Sequence, residues 1–471
     1  MARKKSYENQ TIDALEFHGH GIARPEGRVV FVEGVLPGEE VDIQITRKKR
    51  DHAFGIATAM HKRSPERIEP FCEHFASCGG CTWQYLSYER QLHYKHQFAR
   101  EILQRIGGVT DPEPLPIIGC ERDRFYRNKL EFTFSPTRWL EEQEIADSGE
   151  IGDRRALGFH VRGRFDRVID VQTCYLQADP SNKIRTAARE IALENGWSFH
   201  NPREHEGLLR SIIIRTTRDG EVMVILVIGE DRPDIAASFL GRLIETVPEI
   251  TSAHYIVNDT RNDDIGPHAA LHVAGTKTMT ERCGHLNLII HPKSFYQTNS
   301  AQAERLYGVV RAWLSTDSVH HLLDLYCGIG SIGLFLADRC ERVTGIEYVA
   351  EAVDCARENA AANGFSNCGF HAGDVRELIK NLEALTSLPK PDVVVLDPPR
   401  AGVHPDVLTE LIRLAPRQIL YVSCKPSTQA RDLERLCKHY AIQRIQPVDM
   451  FPQTLHIENV VDLRRSDEVD A

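Results

Sequence analysis

The sequence predicts a multidomain chain: a small β-barrel at the amino end, an α+β middle domain, and a carboxy-terminal α/β domain on a doubly wound parallel sheet. Three observations lead there. At 471 residues the chain exceeds what one core accommodates, and length alone points to two to four domains. Short alternating strands between glycine-containing turns fill residues 12 to about 60. From about residue 300, apolar strand-like runs alternate with helical stretches, the pattern of a parallel sheet covered on both faces. No stretch approaches the roughly 18 apolar residues needed to span a bilayer, and the start "MARKKSYENQ" lacks the apolar core of a signal peptide. The expectation is a cytoplasmic protein with no membrane partner, acting as a monomer. A net charge of -10 argues against a uniformly basic surface and leaves room only for a local basic patch.

The first domain is expected over residues 1–63. Its runs "ALEFHGHGIAR" and "GRVVFVEGVLPGEEVDIQITRKKRDHAFGIATAM" resemble a TRAM domain, an OB-like RNA-binding module, down to the turns at Gly19, Gly21 and residues 36–39. "TRKKR" at 46–50, with His61, Lys62 and Arg63, is the candidate basic patch for RNA. Residues 64–290 form the expected middle domain. It opens with "CEHFASCGGC" and a run of helical period at 88–108, placed against the carboxy-terminal domain. Strand-like runs follow from "NKLEFTFSP" to "HLNLIIHP", interrupted by helices near 180–195 and 233–246. The third domain is expected over 291–471.

Twelve cysteines are many for a reducing compartment, so clustered ones should be ligands or reactive thiols. Cys120, Cys283, Cys340, Cys355, Cys368 and Cys437 are scattered and need no role beyond packing. Cys72, Cys78 and Cys81 are spaced x5 and x2 beside Gly79-Gly80. Structural zinc favours two close pairs, and His74 stands too near Cys72 to be the obvious fourth ligand. An iron-sulfur cube is commonly held by a close set and one remote cysteine, for which Cys174 is the candidate.

"DLYCGIGSIG" places Gly328, Gly330 and Gly333 in the pattern G-x-G-x-x-G, with Glu347 ending the next strand. Alone, that pattern is shared with nicotinamide-dependent dehydrogenases, which remain a rival reading. A second rival is a non-catalytic RNA-binding protein. The flanks, Asp324 before the glycines and "DPPR" at 397–400, resemble S-adenosylmethionine-dependent methyltransferases. Cys424 in "YVSCKP" stands at the carboxyl edge of a strand that Pro426 stops, where ligands bind in open α/β sheets. Glu458 lies among Leu455, Ile457, Val460 and Val461, a setting that raises a carboxyl pKa and suits proton transfer.

Jointly these motifs, with "FYQTN" (295–299), "GIEYV", "LDPPRAG" and "HIENV", resemble the RNA uridine-5-methyltransferases over nearly the whole chain. The resemblance implies a Rossmann-like class I methyltransferase domain, S-adenosylmethionine as cofactor and a [4Fe-4S] cluster. It implies a cofactor site at Gln297, Tyr326, Ser331, Glu347, Asp374 and Asp397. Asparagine is frequent in the family where Ser331 stands, and also after the nucleophile, where this chain has Lys425. The implied chemistry is addition of Cys424 to C6 of uracil, methyl transfer to C5, and removal of the C5 proton by Glu458. Arg127, Asn128 and Lys129 resemble the family's RNA-contacting segment. The barrel favours 23S rRNA as substrate, with tRNA the alternative, because the bacterial tRNA enzyme of the family usually lacks it.

Overall fold

Alternation in the amino-terminal strands turns every second residue inward, and a six-stranded sheet results. In the computed structural model its strands lie in the order Ser6–Thr11, Glu40–Lys48, His52–Lys62, Val29–Glu33, Gly21–Ala23, Ala14–Leu15. The inward set includes Ile12, Val30, Val32, Val41 and Ile43 and forms its own core. The structure describes residues 5–140, 144, 152–315, 318–382, 387 and 389–466; residues 1–4 and 467–471 of the expected outer domains lie outside them.

The middle sheet has seven strands, in the order Ala270–Gly275, Ser252–Val257, Val222–Ile228, Leu209–Thr216, Lys129–Ser135, Ala156–His160, Val168–Asp170. Both faces of its central strands are covered, so Val222–Ile228 reads as a continuous apolar run and Leu209–Thr216 is buried up to its last residue. Ile212 and Ile214 join the core that holds helices Ser181–Glu194 and Pro233–Thr246, while Ile213 faces the core of the carboxy-terminal domain. Two strands escape the sequence reading. Ala270–Gly275 is an edge strand with little alternation, and Met279–Cys283 carries Glu281 at a buried position, which breaks the apolar pattern. The latter pairs with Leu286–Ile290, and this hairpin packs into the carboxy-terminal core.

The carboxy-terminal sheet runs Cys368–Ala372, Cys340–Glu347, Val319–Leu325, Val393–Leu396, Gln418–Ser423, Glu458–Arg465, Tyr440–Val448. The first five strands are parallel, as the sequence predicts. Glu458–Arg465 instead runs antiparallel to both neighbours. Only nine residues separate it from Tyr440–Val448, too few for a crossover helix, so the chain must return the other way. Reversal puts the first residue of that strand, Glu458, at the edge where the parallel strands end.

Helix Tyr88–Gly107 starts at the Ser87 cap and ends at Gly108 in the left-handed region (φ 65°). It lies along helix Pro426–Leu436, so close that a Cβ on Gly107 would stand 2.9 Å from the Ala430 carbonyl. A buried ion pair, Lys95 Nζ to Asp449 Oδ1 at 2.7 Å, ties it to the last strand connection. Among the described residues no helix is long and apolar enough to cross a membrane.

Candidate functional site at the carboxyl edge of the parallel sheet

Strand Val319–Leu325 ends in Tyr326 at φ 66°, and the chain turns through Gly328 and Gly330 into helix Ser331–Leu336. Glycine is required at 333, where a Cβ would sit 2.8 Å from Asp324 Oδ2. That oxygen accepts the Gly333 N–H at 2.9 Å and fastens the turn. The other, Oδ1, is buried without a partner, and burial pushes the Asp324 carboxyl up to about 8, with the Asp397 and Glu347 charges adding to it. No atom stands within 4 Å of where a Cβ on Gly328 would be, so a ligand can approach the backbone there.

The next strand brings Glu347 to the same edge. Its Oε2 accepts the Gly328 N–H at 3.1 Å and its Oε1 the Val349 N–H at 2.9 Å, which fixes the carboxylate beside the turn. Asp374 follows the third strand as the cap of the short helix Val375–Leu378. Its carboxylate pairs with Arg376, which with the Arg376 backbone N–H holds it down to about 2. Asp397 ends Val393–Leu396, half-buried, and burial pushes it up to about 7. Ser331 Oγ is 3.2 Å from the hydroxyl of Tyr307 on helix Ser300–Trp313, and Gln297 lies buried in the loop that enters that helix. Five of the six residues expected at a cofactor site thus stand on neighbouring strand ends or the first turn after them, and Gln297 enters from the adjoining loop.

Cys424 and Glu458 meet through sheet register. Ser423 is opposite Asn459, so the residue after one and the residue before the other face each other across the same ladder. The thiol is half-buried, less open than a bare strand end suggests. Burial pushes it up to about 11, aided by the Glu458 and Asp397 charges and opposed by Arg400. Glu458 is 2% exposed, and its Oε2 has no hydrogen-bond partner. Burial, then Asp397, raise its pKa to about 8 against Arg400. A second thiol at this edge, Cys327, is walled in beneath the glycine turn, and burial holds it far above the usual thiol range.

Sequence reasoning missed two groups here. Arg400 donates to His456 Nε2 at 3.4 Å, and its charge acts on both Cys424 and Glu458. The signal was present in "DPPR" and "HIE", but a charged side chain after a strand is usually read as solvated. The "YRNK" segment is half-buried and tied to the loop that carries Gln297. The Asn128 side chain turns inward and donates to the Gln297 carbonyl at 2.9 Å and to Ser300 Oγ at 2.8 Å, clamping the loop that carries Gln297. Lys129 is half-buried, and burial lowers its pKa.

The four expected ligand cysteines come together. Cys72, Cys78, Cys81 and Cys174 line one mostly apolar pocket with Phe75, Phe159, Val171 and Leu176. Burial raises all four thiols, to about 11 for Cys81 and about 12 for Cys174, and in Cys78, Cys81 and Cys174 the neighbouring thiols raise them further. Among the described residues no group of three or more His, Cys, Asp or Glu side chains is placed to hold a metal ion. Of the scattered cysteines Cys437 is exposed, not packed, because it follows the last turn of helix Pro426–Leu436 on its outer side.

Comparison with known proteins agrees with this layout. A family model described as tRNA (Uracil-5-)-methyltransferase matches residues 285–466, and the TRAM domain model matches residues 6–58. The chain is 44% identical over 446 residues to a protein of Bacteroides thetaiotaomicron named an uncharacterized RNA methyltransferase, covering 94% of this chain and 98% of that one. A protein of the same description from Porphyromonas gingivalis is 42% identical over 466 residues, covering 97% and 100%. Among solved structures, the Pyrococcus abyssi tRNA (uracil-54, C5)-methyltransferase in complex with S-adenosyl-L-homocysteine superposes with a TM-score of 0.74 at 28% identity, covering 97% of this chain and 100% of that one. With its amino-terminal TRAM domain and carboxy-terminal class I methyltransferase fold, the chain belongs to the RNA uracil-5-methyltransferase family of S-adenosylmethionine-dependent enzymes.

Proposed function

We propose that Cys424 and Glu458 make 5-methyluridine in RNA through a covalent adduct. The observation that carries this is their juxtaposition: a thiol and a buried, unpartnered carboxyl side by side at the ligand edge of the sheet. Uracil C5 is too weak a nucleophile unaided. The Cys424 sulfur, having lost its proton, bonds to C6, and the electron pair moves through C5 to the C4 oxygen as an enolate. S-adenosylmethionine, when bound, supplies the methyl group that C5 takes up. Glu458 then removes the C5 proton, the C5–C6 double bond re-forms and the C6–sulfur bond breaks. A duplex hides both ring carbons, so the uridine is flipped out or unpaired when it enters.

The cofactor's place is proposed at Tyr326, Ser331, Glu347, Asp374, Asp397 and Gln297. The open space beside Gly328 admits a ligand to the backbone, and the fixed Glu347 carboxylate keeps lone pairs for ribose hydroxyls. The cysteine pocket is proposed to hold a [4Fe-4S] cluster. Zinc at about 2.3 Å from each sulfur needs thiols converging on one point, whereas a cube takes the same four ligands in a wider cage. Four thiols lining one mostly apolar pocket supply the ligand set of such a cage.

The RNA is proposed to be 23S rRNA, on the strength of the amino-terminal barrel. One observation favours tRNA as the second reading: the Pyrococcus abyssi enzyme whose name specifies tRNA covers 97% of this chain, barrel included. The test is methyl transfer to 23S rRNA and to tRNA, each isolated from a deletion strain, with mass-spectrometric mapping of 5-methyluridine. Methyl groups found elsewhere than uracil C5, or on neither RNA, would overturn the proposal.

A further inference from the structure

Glu281 stands 2% exposed in the middle of strand Met279–Cys283, where an apolar residue would pack at less cost. Alternation puts it on the same buried face as Met279 and Cys283, and register sets it opposite Leu288. Its Oε1 has no hydrogen-bond partner and lies 3.9 Å from Arg218 Nε. Its Oε2 accepts the Ser300 hydroxyl at 2.9 Å. Burial pushes the carboxyl up to about 7, and in either protonation state one oxygen remains that can accept there.

From Ser300 a chain of hydrogen bonds runs in one direction only. Asn128 Nδ2 donates to the Gln297 carbonyl at 2.9 Å and to Ser300 Oγ at 2.8 Å. A carbonyl takes only a donor, so the amide cannot be turned round, and both its hydrogens are used. Ser300 Oγ therefore accepts from Asn128 and gives its single proton to Glu281. Only an acceptor satisfies it there. The Asn128 backbone N–H donates to the Thr298 carbonyl at 2.8 Å, a second hold on the same loop. At the start of the loop Arg215, 4% exposed, donates to the carbonyls of His291, Pro292 and Ser294 at 3.3, 3.0 and 2.9 Å. Residues 291–300 are thus pinned at both ends, and Gln297 lies at the second pin.

The other strand of the hairpin reaches the glycine turn. Thr280 pairs with Ile289, whose N–H donates to Asn359 Oδ1 at 2.6 Å. Asn359 Nδ2 in turn donates at 3.2 Å to the carbonyl of Ile329, between Gly328 and Gly330. One two-stranded unit therefore ties both the Gln297 loop and the glycine turn to itself.

We propose that Glu281 is a positioning residue for S-adenosylmethionine: through Ser300 and Asn128 it fixes the Gln297 loop against the hairpin that also holds the glycine turn. It touches no reacting group. Without an acceptor at 281 the Ser300 proton is buried and unpaired, so the hydroxyl turns toward another partner and Asn128 loses one of its two holds. The loss falls on cofactor affinity and not on the chemistry at Cys424. The inference rests on the place proposed above for the cofactor, and it adds a residue far from any strand end of the parallel sheet.

Calorimetric titration of S-adenosylhomocysteine into RNA-free protein tests it. Glu281→Leu keeps the volume and removes the acceptor, and is expected to weaken binding about 5- to 12-fold. Glu281→Gln keeps an accepting oxygen and should stay within twofold of native. Ser300→Ala breaks the chain one link further on and should match Glu281→Leu; the two together should bind no more weakly than either alone, because they cut one chain. In the methylation assay the S-adenosylmethionine KM of Glu281→Leu should rise by the same factor, with kcat and the RNA KM within twofold of native. Should Glu281→Leu fail to fold, Ser300→Ala carries the same test with a smaller change. Affinity within twofold of native in Glu281→Leu or Ser300→Ala, or Glu281→Gln as weak as Glu281→Leu, overturns the proposal. Gln297→Ala separates the two readings. Weak binding in that variant beside native binding in Glu281→Leu and Ser300→Ala overturns the positioning role alone, whereas native binding in Gln297→Ala overturns the cofactor's place at that residue and the role with it.

Discussion

As the proposed base, Glu458 should set the pH at which the covalent adduct resolves. Its carboxyl must be ionised to take the C5 proton, and burial, with Asp397 adding, raises its pKa to about 8. With that midpoint the ionised fraction rises from about one-tenth at pH 7 to about nine-tenths at pH 9, so adduct decay should quicken about tenfold over the interval. Because the Asp397 charge pushes Glu458 upward, Asp397→Asn should move the transition to lower pH. Glu458→Gln should attack and methylate, then accumulate a methylated adduct whose slow decay no longer follows this titration. Cys424→Ala should form no adduct. The assay is single-turnover reaction of end-labelled RNA, quenched in detergent and resolved on denaturing gels, with mass spectrometry of the shifted band. Native decay that is flat between pH 7 and pH 9 would refute the assignment of the base. An adduct that survives Cys424→Ala would refute that of the nucleophile.

The same raised carboxyls make the fold less stable as pH rises. Asp324, Glu458 and Asp397 bind their protons more tightly folded than unfolded, so from the ordinary carboxyl range up to about 8 the unfolded chain holds fewer protons and stability falls. Between pH 7 and 8, above the range in which the buried, lowered histidines titrate, thermal melts should decline, and Glu458→Gln should flatten the decline; a rise with pH over that interval would contradict it. Lys95→Ala, which leaves Asp449 buried without its cation, should cost about 3–5 kcal/mol in urea unfolding. A loss under 1 kcal/mol would show the pair to be dispensable. Anaerobically purified protein should contain about four irons and four acid-labile sulfides per chain, and Cys174→Ser should lower both while leaving S-adenosylhomocysteine binding in place. Stoichiometric zinc without sulfide would refute the cluster.

What the sequence made legible follows from what it encodes locally. Tyr326, Glu347, Asp397 and Cys424 were readable because each ends or follows an apolar run that can only be a buried strand, and such ends share one edge of a parallel sheet. The pairing of Cys424 with Glu458 was not readable in this way. It depends on the last strand running backwards, which a period-two pattern leaves open and the short connection after Val448 decides. The bonds Asn128 makes to Gln297 and Ser300 were unreadable for a related reason: the sequence shows a polar residue at a strand start but not the direction of its side chain. Gly19 was legible as a turn residue, but what lies against it, Leu455, belongs to the far end of the chain.

Proton balance sets what the proposed reaction asks of Cys424 and Glu458. Replacing the C5 hydrogen by a methyl group from a sulfonium releases one proton per turnover, yet two must leave carbon and sulfur on the way: one from Cys424 and one from C5. The thiol, near 11, surrenders its proton only to a nearby base or to the pull of the forming C6 bond. The ionised fraction of Glu458 can take it, but the carboxylate is then spent before the C5 proton is due. Glu458 must discharge in between, and at 2% exposure it has little direct access to water. Asp397 is half-buried, has its pKa near 7, and already acts electrostatically on both groups, so it is the neighbour suited to pass that proton outward. The second proton needs no exit. When the C6–sulfur bond breaks, the leaving thiolate can recover from Glu458 the proton taken from C5, which returns thiol and carboxylate to their starting states and leaves the single released proton that the overall reaction requires.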